Sequence, residues 1–305
     1  MNRTIGQGPW YLGIDGGGSK CRVVLVDTND QVLGEGLGGP ANPLRGMKVA
    51  TDSIMTATLQ AMAQAGLPEA YLSQLVVGAG LAGVNMPQYF KLVSEWQHPF
   101  AEFYLTSDLH TACIGAHQGR DGAVIIVGTG SCGLADVDGQ VLDIGGHGFP
   151  YGDNGSGSWF GNQLVHHVLL HKDGIGAATL LTDLLCQDIG VSATLDIVSH
   201  FMHATPTVYA KYAPLVFAAA EQGDATALAI IERGAAHIEH IAQRLFSLNP
   251  PSLSFIGGLA YKVIPYLSPA VQARVREAHA APEFGAVWFA RAQQSKSQAS
   301  TKERV

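Results

Sequence analysis

The segment YLGIDGGGSKCRVVLVD, residues 11–27, places an acid and three glycines between two apolar runs. The first run ends at Asp15, and the second begins shortly after Ser19. Consecutive glycines weaken strands and helices, so they occur where a chain turns tightly or where its backbone approaches another group closely. The segment therefore predicts a β-hairpin whose glycine turn lies beside a carboxylate.

A second segment repeats this pattern. The stretch IIVGTGSCGLADVDGQVLDIGGHG, residues 125–148, also places a G-x-G-S turn between apolar runs, and the same QVL strand follows in both segments. The short turns at 29–30 and 138–139 suit hairpins. Glycine-rich hairpins can resemble each other by chance. The interpretation that we favour is two related lobes, each opening with a glycine hairpin.

The rest of the chain alternates between apolar strands and segments of helical spacing. We predict further strands at 75–80, 102–108, 123–127 and 254–260. Helices are predicted at 46–66, 86–96, 109–117, 157–170, 177–187, 209–222, 225–248 and 282–292. This mixture predicts an α/β protein of two lobes. The predicted domains are an N-terminal lobe at 1–118 completed by the helix at 282–292, a C-terminal lobe at 119–281, and a flexible tail at 293–305.

Composition excludes several classes of protein. Of the 305 residues, 47% are hydrophobic and 14% are charged, which is typical of a folded globular chain. The net charge of −7 argues against nucleic acid as a partner. No apolar run of the length of a membrane span occurs, and residues 1–10 lack the apolar core of a signal peptide. The four cysteines are far apart, which predicts reduced thiols in a cytoplasmic protein and no zinc cluster.

Three kinds of phosphate-binding loop are candidates for the glycine segments. GTGSCG at 128–133 matches the dinucleotide pattern G-x-G-x-x-G, but the residues that follow predict a strand where that motif needs a helix. The pattern GxxxxGK[ST] of a Walker A loop does not occur. The third option is a nucleotide whose phosphates meet backbone amides of both glycine hairpins, with hydroxyl donors from Ser19 and Thr129. Asp15 would then meet the phosphates through Mg²⁺ and its waters.

Five motifs, IDGGGS, LTSD, VGTGS, GGHGFPYGDNGSG and FIGGLA, give the chain a family resemblance. It resembles the N-acetylglucosamine kinases and bacterial glucosamine kinases, which are grouped with the BadF/BadG/BcrA/BcrD ATPases in the actin, hexokinase and heat-shock ATPase superfamily. The resemblance covers about residues 11–290. It implies a two-lobed ribonuclease-H-like fold with a duplicated β-hairpin core, and ATP bound between the lobes.

The resemblance also implies a role for individual residues. Those implied to bind ATP are Gly16, Gly17, Gly18 and Ser19 in the first loop, Gly128, Thr129, Gly130 and Ser131 in the second, Gly257 and Gly258 at the adenosine, and Ala213 at the adenine pocket. Those implied to bind the sugar are Asn42, Asp108, Gly145, Gly146 and Asp153. Asp108 corresponds to the family's general base, and Asp15 to the residue that holds Mg²⁺ through water.

Asp108 can also be argued from chemistry alone. Phosphoryl transfer depends on positioning and charge neutralisation, and a carboxylate that accepts the hydroxyl proton typically adds about 10²–10⁴-fold to the rate. Such a base should follow a strand near the bound substrate, as Asp108 does in the predicted strand at 102–108. The alternative is that Asp108 only caps the helix that starts at Leu109. Asp153 has the same two interpretations, as an acceptor for a sugar hydroxyl or as a turn residue.

The resemblance predicts an ATP- and Mg²⁺-dependent kinase that phosphorylates the 6-hydroxyl of N-acetylglucosamine or glucosamine. Two departures leave the choice between these sugars open. Cys132 stands where animal N-acetylglucosamine kinases carry Asn, and Leu44 stands where they carry an aromatic residue. Cys132 follows the GTGS loop and is predicted to line the cleft, whereas for His147, in the GGHG loop, a substrate contact is the less favoured of two interpretations. The oligomeric state stays open, with a homodimer as one alternative because dimers are common in the family.

Two other functions remain as alternatives. The first is an ATPase that gates electron transfer to a partner reductase, as in the BadF/BadG group, which would require cysteines that hold an iron–sulfur cluster. The spacing of the cysteines in this chain does not suit such a cluster. The second is a non-catalytic, sugar-responsive regulator. That role predicts a DNA-binding segment, for which the residues before the first hairpin are too few.

Overall fold

The computed structural model describes residues 8–302, with side chains as far as Ala299. Its tertiary contacts divide the chain into two units. Unit 1 is Met1–Gly122 together with Ala278–Val305, and unit 2 is Ala123–Glu277. The predicted boundaries, at 118 and 281, lie a few residues from these divisions. In unit 1 the C-terminal segment of the chain joins the N-terminal one.

Strands and helices alternate along both units. The strands are β1 Trp10–Gly16, β2 Cys21–Val26, β3 Val32–Gly38, β4 Leu75–Leu81, β5 Glu102–Ser107, β6 Gly122–Val127, β7 Ser131–Val137, β8 Gln140–Gly145 and β9 Leu253–Ile256. The helices are α1 Met47–Ala65, α2 Pro87–Ser94, α3 Asp108–His117, α4 Gly157–Lys172, α5 Leu180–Ile189, α6 Thr194–Phe201, α7 Pro206–Ala210, α8 Ala213–Glu221, α9 Ala225–Leu245, α10 Ala260–Val263, α11 Pro269–Gln272 and α12 Pro282–Lys302. The prediction of an α/β protein is confirmed.

The sheet of unit 1 has the strand order β3-β2-β1-β4-β5. Strands β1, β2 and β3 form two antiparallel hairpins, whereas β1, β4 and β5 run parallel. Because parallel strands end at the same edge of a sheet, the residues that follow β1 and β5 lie at one edge. Asp15 pairs with Gly80, and Gly80 pairs with Thr106, so Asp108 begins its helix just beyond this row.

Glycines on β3 allow α1 to approach the sheet at backbone distance. A Cβ atom at Gly34, Gly36 or Gly38 would lie 2.0, 1.8 or 2.2 Å from a carbonyl oxygen of α1. The three glycines alternate along the strand and so face one side. Their three oxygens belong to residues 61, 57 and 53, one helical turn apart. Helix α1 therefore runs along β3 with no side chain between the two backbones.

Helix α12 packs on the opposite face of the same sheet in a similar way. A Cβ atom at Gly13 would lie 1.9 Å from the carbonyl oxygen of Glu283, and one at Gly78 would lie 1.9 Å from that of Ala286. Further along, the hydroxyl of Tyr11 donates to Gln294 Oε1 at 2.9 Å. The helix thus runs antiparallel to β1, and its first turn lies at the edge where β1 ends.

Unit 2 repeats the order of the first sheet. Its strand order is β8-β7-β6-β9, with β7 and β8 antiparallel and β6 and β9 parallel. This matches the order β3-β2-β1-β4 in unit 1. Asp138 and Gly139, which join β7 to β8, both have positive φ, as a two-residue hairpin turn of type I′ requires. The predicted duplication of a β-hairpin core is confirmed.

Several predicted elements differ from the structure. The predicted helix at 209–222 is interrupted, because Pro214 lies in the first turn of α8 and has no N–H with which to continue an earlier helix. Helix α6 was not predicted, and the predicted strand at 254–260 ends as β9 at Ile256, since Gly257 has a φ of 112°.

The segment predicted as a flexible tail, 293–305, is helical over the part that the structure describes. Helix α12 continues through this region to Lys302, and residues 303–305 lie outside the described residues. Gln294 anchors the extension, because its Nε2 donates to Glu102 Oε1 at 2.8 Å in addition to the contact with Tyr11. The polar composition of the segment does not indicate this contact with β5.

Two chain-wide predictions can be checked on the described residues. In residues 8–302, no helix has both the length and the apolar character needed to cross a bilayer. The four cysteines, Cys21, Cys113, Cys132 and Cys186, all lie within that range and form no disulfide with one another.

Candidate functional site

The first glycine turn joins β1 to β2. The N–H of Gly17 donates to the carbonyl of Lys20 at 2.9 Å and closes the hairpin. Gly16 is required by packing, because a Cβ atom there would lie 2.4 Å from the side chain of Leu81. At Gly18, by contrast, a Cβ atom would meet nothing within 4 Å among the described residues beyond its two chain neighbours. Its neighbour Ser19 is exposed.

Three carboxylates lie at the edge of unit 1 that this turn occupies. Asp15 is next to last in β1, Asp108 follows β5, and Glu283 lies in the first turn of α12. Burial, together with the negative charges of Glu283 and then Asp108, raises the pKa of Asp15 to about 7, against smaller opposing effects of Lys20 and Arg22. The surroundings of Asp15 therefore favour a bound proton or a bound cation.

Asp108 is the first residue of α3, and the helix is capped by the residue before it. The hydroxyl of Ser107 accepts the N–H of His110 at 3.2 Å, which is the N-cap bond. Asp108 Oδ1 accepts the N–H of Leu109 at 2.9 Å. Burial raises the pKa of Asp108, and its backbone hydrogen bonds partly offset that effect. Ser107 provides the N-cap bond, and Asp108 satisfies one further N–H of the first turn with Oδ1.

Asn42 lies in the loop between β3 and α1. Its Oδ1 accepts the N–H of Leu44 at 2.9 Å and caps the short turn Pro43–Arg45. A Cβ atom at Gly83 would lie 2.7 Å from the same oxygen, so the glycine leaves room for this side chain. The oxygen of Asn42 is thus used within unit 1, and its amide Nδ2 is the group that can donate to a ligand.

The second glycine turn joins β6 to β7 in unit 2. The N–H of Gly128 donates to the carbonyl of Gly130 at 2.9 Å, and two amides at the start of α4, those of Gly157 and Ser158, donate to the carbonyls of Gly128 and Thr129 at 2.8 and 3.1 Å. The turn is therefore fixed against the first turn of α4. As at Gly18, no atom of the described chain, other than those of the two neighbouring residues, lies within 4 Å of a Cβ atom placed on Gly128.

Asp153 lies directly against this turn. Its Oδ1 accepts the N–H of Ser131 at 3.2 Å, and a Cβ atom at Gly130 would lie 3.0 Å from its carboxylate. The hydroxyl of Ser131 donates to the carbonyl of Asn154 at 2.8 Å. Burial raises the pKa of Asp153, and the Ser131 N–H and the charge of His147 oppose this. Both donors of Ser131, a predicted phosphate ligand, are therefore used within unit 2.

The glycine pair after β8 lies on the other side of the same turn. Gly145 and Gly146 have φ values of 83° and 68°, a conformation that favours glycine. The N–H of Gly146 donates to the carbonyl of Ser131 at 3.2 Å, and Cys132 pairs with Gly145 in the β7–β8 ladder. Within unit 2, the structure thus groups Asp153, Gly145 and Gly146 around the second glycine turn.

The predicted adenosine motif follows β9. Gly257 has a φ of 112°, and a Cβ atom there would lie 2.3 Å from the carbonyl oxygen of Val127, so its own fold requires glycine. A Cβ atom placed on Gly258 would meet nothing within 4 Å among the described residues beyond its two chain neighbours. Ala213 does not belong with these residues. It is 0% exposed in the core at the start of α8, so its side chain cannot border a nucleotide, and its predicted role is corrected.

The glycines of the three motifs differ in why they must be glycine. Among the glycines that the structure describes, only Gly18, Gly128 and Gly258 combine a φ outside the positive region with a Cβ position that meets nothing within 4 Å. The fold itself gives no reason for glycine at these positions. Each of them lies in a different predicted nucleotide-binding motif. The sequence could not separate them from glycines that serve turns or packing.

Within residues 8–302, no group of three or more His, Cys, Asp or Glu side chains could hold a metal ion. A nucleotide-bound Mg²⁺ needs less, because it keeps several waters and takes one or two carboxylates together with phosphate oxygens. Asp15, with its raised pKa, fits such a cation.

Comparison with known proteins assigns the chain to a family. The model of the BadF/BadG/BcrA/BcrD ATPase family matches residues 12–290. The chain belongs to this family. Among the relatives of this BadF/BadG-type chain is a glucosamine kinase of Vibrio cholerae, 34% identical over 281 residues, which cover 92% of the chain and 95% of that protein. An N-acetyl-D-glucosamine kinase of Dictyostelium discoideum is 29% identical over 231 residues, covering 70% of the chain and 72% of that protein.

Solved structures support the same family and fold. A structural-genomics target from Chromobacterium violaceum, assigned as an N-acetylglucosamine kinase, superposes with a TM-score of 0.85 at 29% identity and covers 92% of this chain and 98% of its own. A ROK family glucokinase from Streptomyces griseus superposes with a TM-score of 0.53 at 18% identity, covering 93% and 99%, which supports the fold alone. The predicted family and the actin- and hexokinase-type fold of this BadF/BadG-type chain are confirmed.

Proposed function

We propose that the chain is an ATP-dependent amino-sugar kinase that phosphorylates the 6-hydroxyl of glucosamine or N-acetylglucosamine. The predicted enzyme class, a phosphotransferase with an alcohol acceptor, is confirmed by the kinases to which the chain is related. The observation that carries the proposal is the placement of Gly18, Gly128 and Gly258, which need to be glycine only if something outside the chain approaches them. Phosphate and ribose groups are the ligands expected at such backbone.

In this proposal, the two glycine turns contact the phosphates of the nucleotide, and the glycine pair after β9 contacts its adenosine. Turns of this kind bind phosphate through backbone amides, which a glycine leaves accessible. At the second turn, Ser131 is already held by Asp153 and Asn154, so we assign the phosphate contacts to Thr129 and Gly130. At the first turn, Gly18 and the exposed Ser19 take the same role, and Gly257 and Gly258 are assigned to the adenosine.

Asp108 is assigned as the general base. In the proposed step, it takes the proton from the 6-hydroxyl as that oxygen forms its bond to the γ-phosphorus. The bond from the γ-phosphorus to the bridging oxygen breaks, and ADP leaves with that oxygen. A raised pKa supports this assignment, because a base works best when its pKa lies nearer the working pH than that of an ordinary carboxylate.

Asp15 is assigned to the Mg²⁺ of the nucleotide. When bound, the cation would neutralise charge on the phosphates as the γ-phosphoryl group is transferred. The acidic surroundings of Asp15 at the end of β1 support this role. The cytoplasmic location and the homodimer that the resemblance suggests also belong to the proposal.

The contacts to the sugar are proposed residue by residue. Asn42 would donate through its Nδ2, and Asp153 would accept from a hydroxyl with the oxygen that does not hold Ser131. Gly145 and Gly146 stay in the proposal as neighbours of the second turn. His147 is exposed and its charge acts on Asp153, which supports a place near the substrate. The proposal covers both the free and the acetylated amino sugar.

The test is a coupled ADP-release assay with Mg·ATP and a panel of glucosamine, N-acetylglucosamine and glucose. We expect turnover with an amino sugar, and a loss of kcat of about 10²–10⁴-fold in Asp108→Asn. Asp196→Asn is the matched control, because Asp196 is also an acid in the first turn of a helix, α6, and is exposed in unit 2. Sugar-independent ADP release, or full activity of Asp108→Asn, would favour the partner-gating ATPase instead.

A further inference from the structure

Glu283 is a buried acid that the motifs of the sequence do not include. It lies in the first turn of α12, where its carbonyl oxygen packs against Gly13 of β1. That contact fixes the backbone of Glu283 two residues before Asp15 along the strand. The residue therefore has a defined position at the edge of the sheet where the first glycine turn begins.

The carboxylate of Glu283 has an unusual environment for an acid in a first turn. Acids at this position usually act on the helix dipole from an exposed site. Glu283 is only 9% exposed, and its Oε2 is buried without a hydrogen-bond partner. Burying a carboxylate oxygen in this way is unfavourable unless a cation or a donor satisfies it. The dipole of α12 does not supply that partner.

The carboxylate of Glu283 acts on Asp15. Its charge raises the pKa of Asp15 more than the charge of Asp108 does, and the two nearby cations, Lys20 and Arg22, oppose this with smaller effects. Arg22 and Glu283 line the same cavity of about 310 Å³, but among the described residues no ion pair joins them. Two carboxylates therefore lie near the end of β1, and the described ion pairs include neither of them.

We propose that Glu283 is the second carboxylate, with Asp15, that holds the divalent cation of the bound nucleotide, either directly or through a bound water. A pair of carboxylates together with phosphate oxygens is the usual set for Mg²⁺. The cation explains why an unpartnered carboxylate oxygen is kept at this place. This inference rests on the proposed function, because it takes the first glycine turn as the place of the phosphates.

The test compares Glu283→Gln with wild type in the binding of Mn²⁺ together with ADP. The unbound Mn²⁺ is measured by electron paramagnetic resonance, so the readout does not depend on turnover. We expect the affinity for Mn²⁺ in the presence of ADP to fall by roughly 10–100-fold, as for other groups that orient a metal site. Glu35→Gln is the matched control, because Glu35 lines the same cavity and is exposed, and it should leave this affinity unchanged.

Thermal unfolding separates this role from a structural one. Without metal, Glu283→Gln should melt at the wild-type temperature or above it, because the substitution removes a buried charge that acts on Asp15. The increase in Tm on addition of Mn²⁺ and ADP should shrink. If Glu283 instead only supports the start of α12, Glu283→Gln would melt lower without metal and bind Mn²⁺ as wild type does, and the inference would be wrong.

A second variant keeps the inference testable if Glu283→Gln folds poorly. Glu283→Asp retains the charge one methylene further from the cation, and its Mn²⁺ affinity should lie between those of wild type and Glu283→Gln. An affinity equal to that of Glu283→Gln would contradict a role for the charge. Wild type that binds Mn²⁺ with ADP but phosphorylates no sugar would overturn the proposed function alone, whereas an active enzyme unaffected by Glu283→Gln would overturn this inference alone.

Discussion

The two glycine hairpins occupy equivalent places in the two sheets, but they use different chemistry. Aligning residues 13–19 with 125–131 places Asp15 opposite Val127, which is fully buried. Asp15 has acidic neighbours, whereas the turn after Val127 is fixed by hydrogen bonds to α4 and Asp153. Of the two equivalent hairpins, the one in unit 1 carries a charged side chain, and the one in unit 2 has a turn whose backbone is held by hydrogen bonds. The difference shows that a repeated scaffold does not imply a repeated role.

The two sheets also differ in how they meet their helices. In unit 1, the glycines of β3 bring α1 to backbone distance, with Gly36 as the closest approach. In unit 2, a Cβ atom at Gly133 of β7 would instead meet the ends of two side chains of α9, Ile241 and Leu245, at 2.7 and 2.9 Å. Contacts between backbones cannot adjust, whereas side-chain ends can. The sheet of unit 1 should therefore tolerate substitution less.

The largest expected effect is the loss of kcat at low pH, where the carboxylate of Asp108 in unit 1 becomes protonated. Because burial raises the pKa of Asp108, kcat should fall about tenfold per pH unit on an acid limb that lies above the ordinary carboxyl pKa of about 3.9. The residual activity of Asp108→Asn should lack this limb. The measurement is a pH profile of kcat for both proteins. The difference between the profiles reports Asp108 together with the part of the Asp15 titration that depends on the charge of Asp108.

The same titration should appear in stability, with the opposite sign. The pKa of Asp108 is higher in the folded protein than in the unfolded chain, so its favourable contribution is complete at low pH and is lost as the pH rises through the folded pKa. Asp108→Asn should remove that loss and gain relative stability at neutral pH. Parallel pH profiles of Tm in which wild type and variant never diverge would contradict a raised pKa.

The next largest effect concerns the three glycines whose backbone is proposed to contact the nucleotide. Alanine at Gly18, Gly128 or Gly258 fits the fold, because no atom of the described residues beyond the two chain neighbours lies within 4 Å, yet it would place a methyl group where the nucleotide is proposed to lie. We expect kcat/KM for ATP to fall by about 10²-fold, the size of effect of a 1 Å misplacement. Tm should stay the same or rise. Steady-state kinetics with ATP varied, together with thermal unfolding, measure both quantities.

A control and a contrary result define this test. Gly139→Ala changes a glycine with a φ of 74° in an exposed turn of unit 2, so it should lower Tm and leave kcat/KM for ATP unchanged. If alanine at Gly18, Gly128 and Gly258 left kinetics intact, these glycines would have no ligand to accommodate. The proposed nucleotide site would then lose its main support.

Much of the fold follows from local sequence signals. The glycine turns, the Asp138-Gly139 hairpin and the apolar strands act over a few residues, so their patterns predict β1 to β8 well. The extension of α12 depends on Gln294 reaching Tyr11 and Glu102, which no local pattern reveals. The break between α7 and α8 did have a signal, since Pro214 follows Ala213 directly.

The site was predictable only where its residues belong to a motif. Asp108 follows a strand within LTSD, and its place at the sheet edge agrees with that pattern. Glu283 lies in no motif, and only the return of α12 to β1 brings it to Asp15. The internal hydrogen bonds of Ser131 and the complete burial of Ala213 likewise come from tertiary packing. Such contacts join distant parts of the chain and leave no trace in local spacing.

The smallest expected effect tests the packing difference between the sheets. Gly36→Ala would place a Cβ atom 1.8 Å from the carbonyl oxygen of Ala57, so β3 and α1 must separate, and we expect a loss of about 1–3 kcal/mol in the free energy of unfolding. Gly133→Ala should cost less, because Ile241 and Leu245 can change rotamer. Chemical denaturation of both variants measures the two losses, and Gly18→Ala serves as the unstrained control. Equal losses in the free energy of unfolding would mean that the backbone contact between β3 and α1 adjusts as easily as the side-chain contact between β7 and α9, and the packing difference would be contradicted.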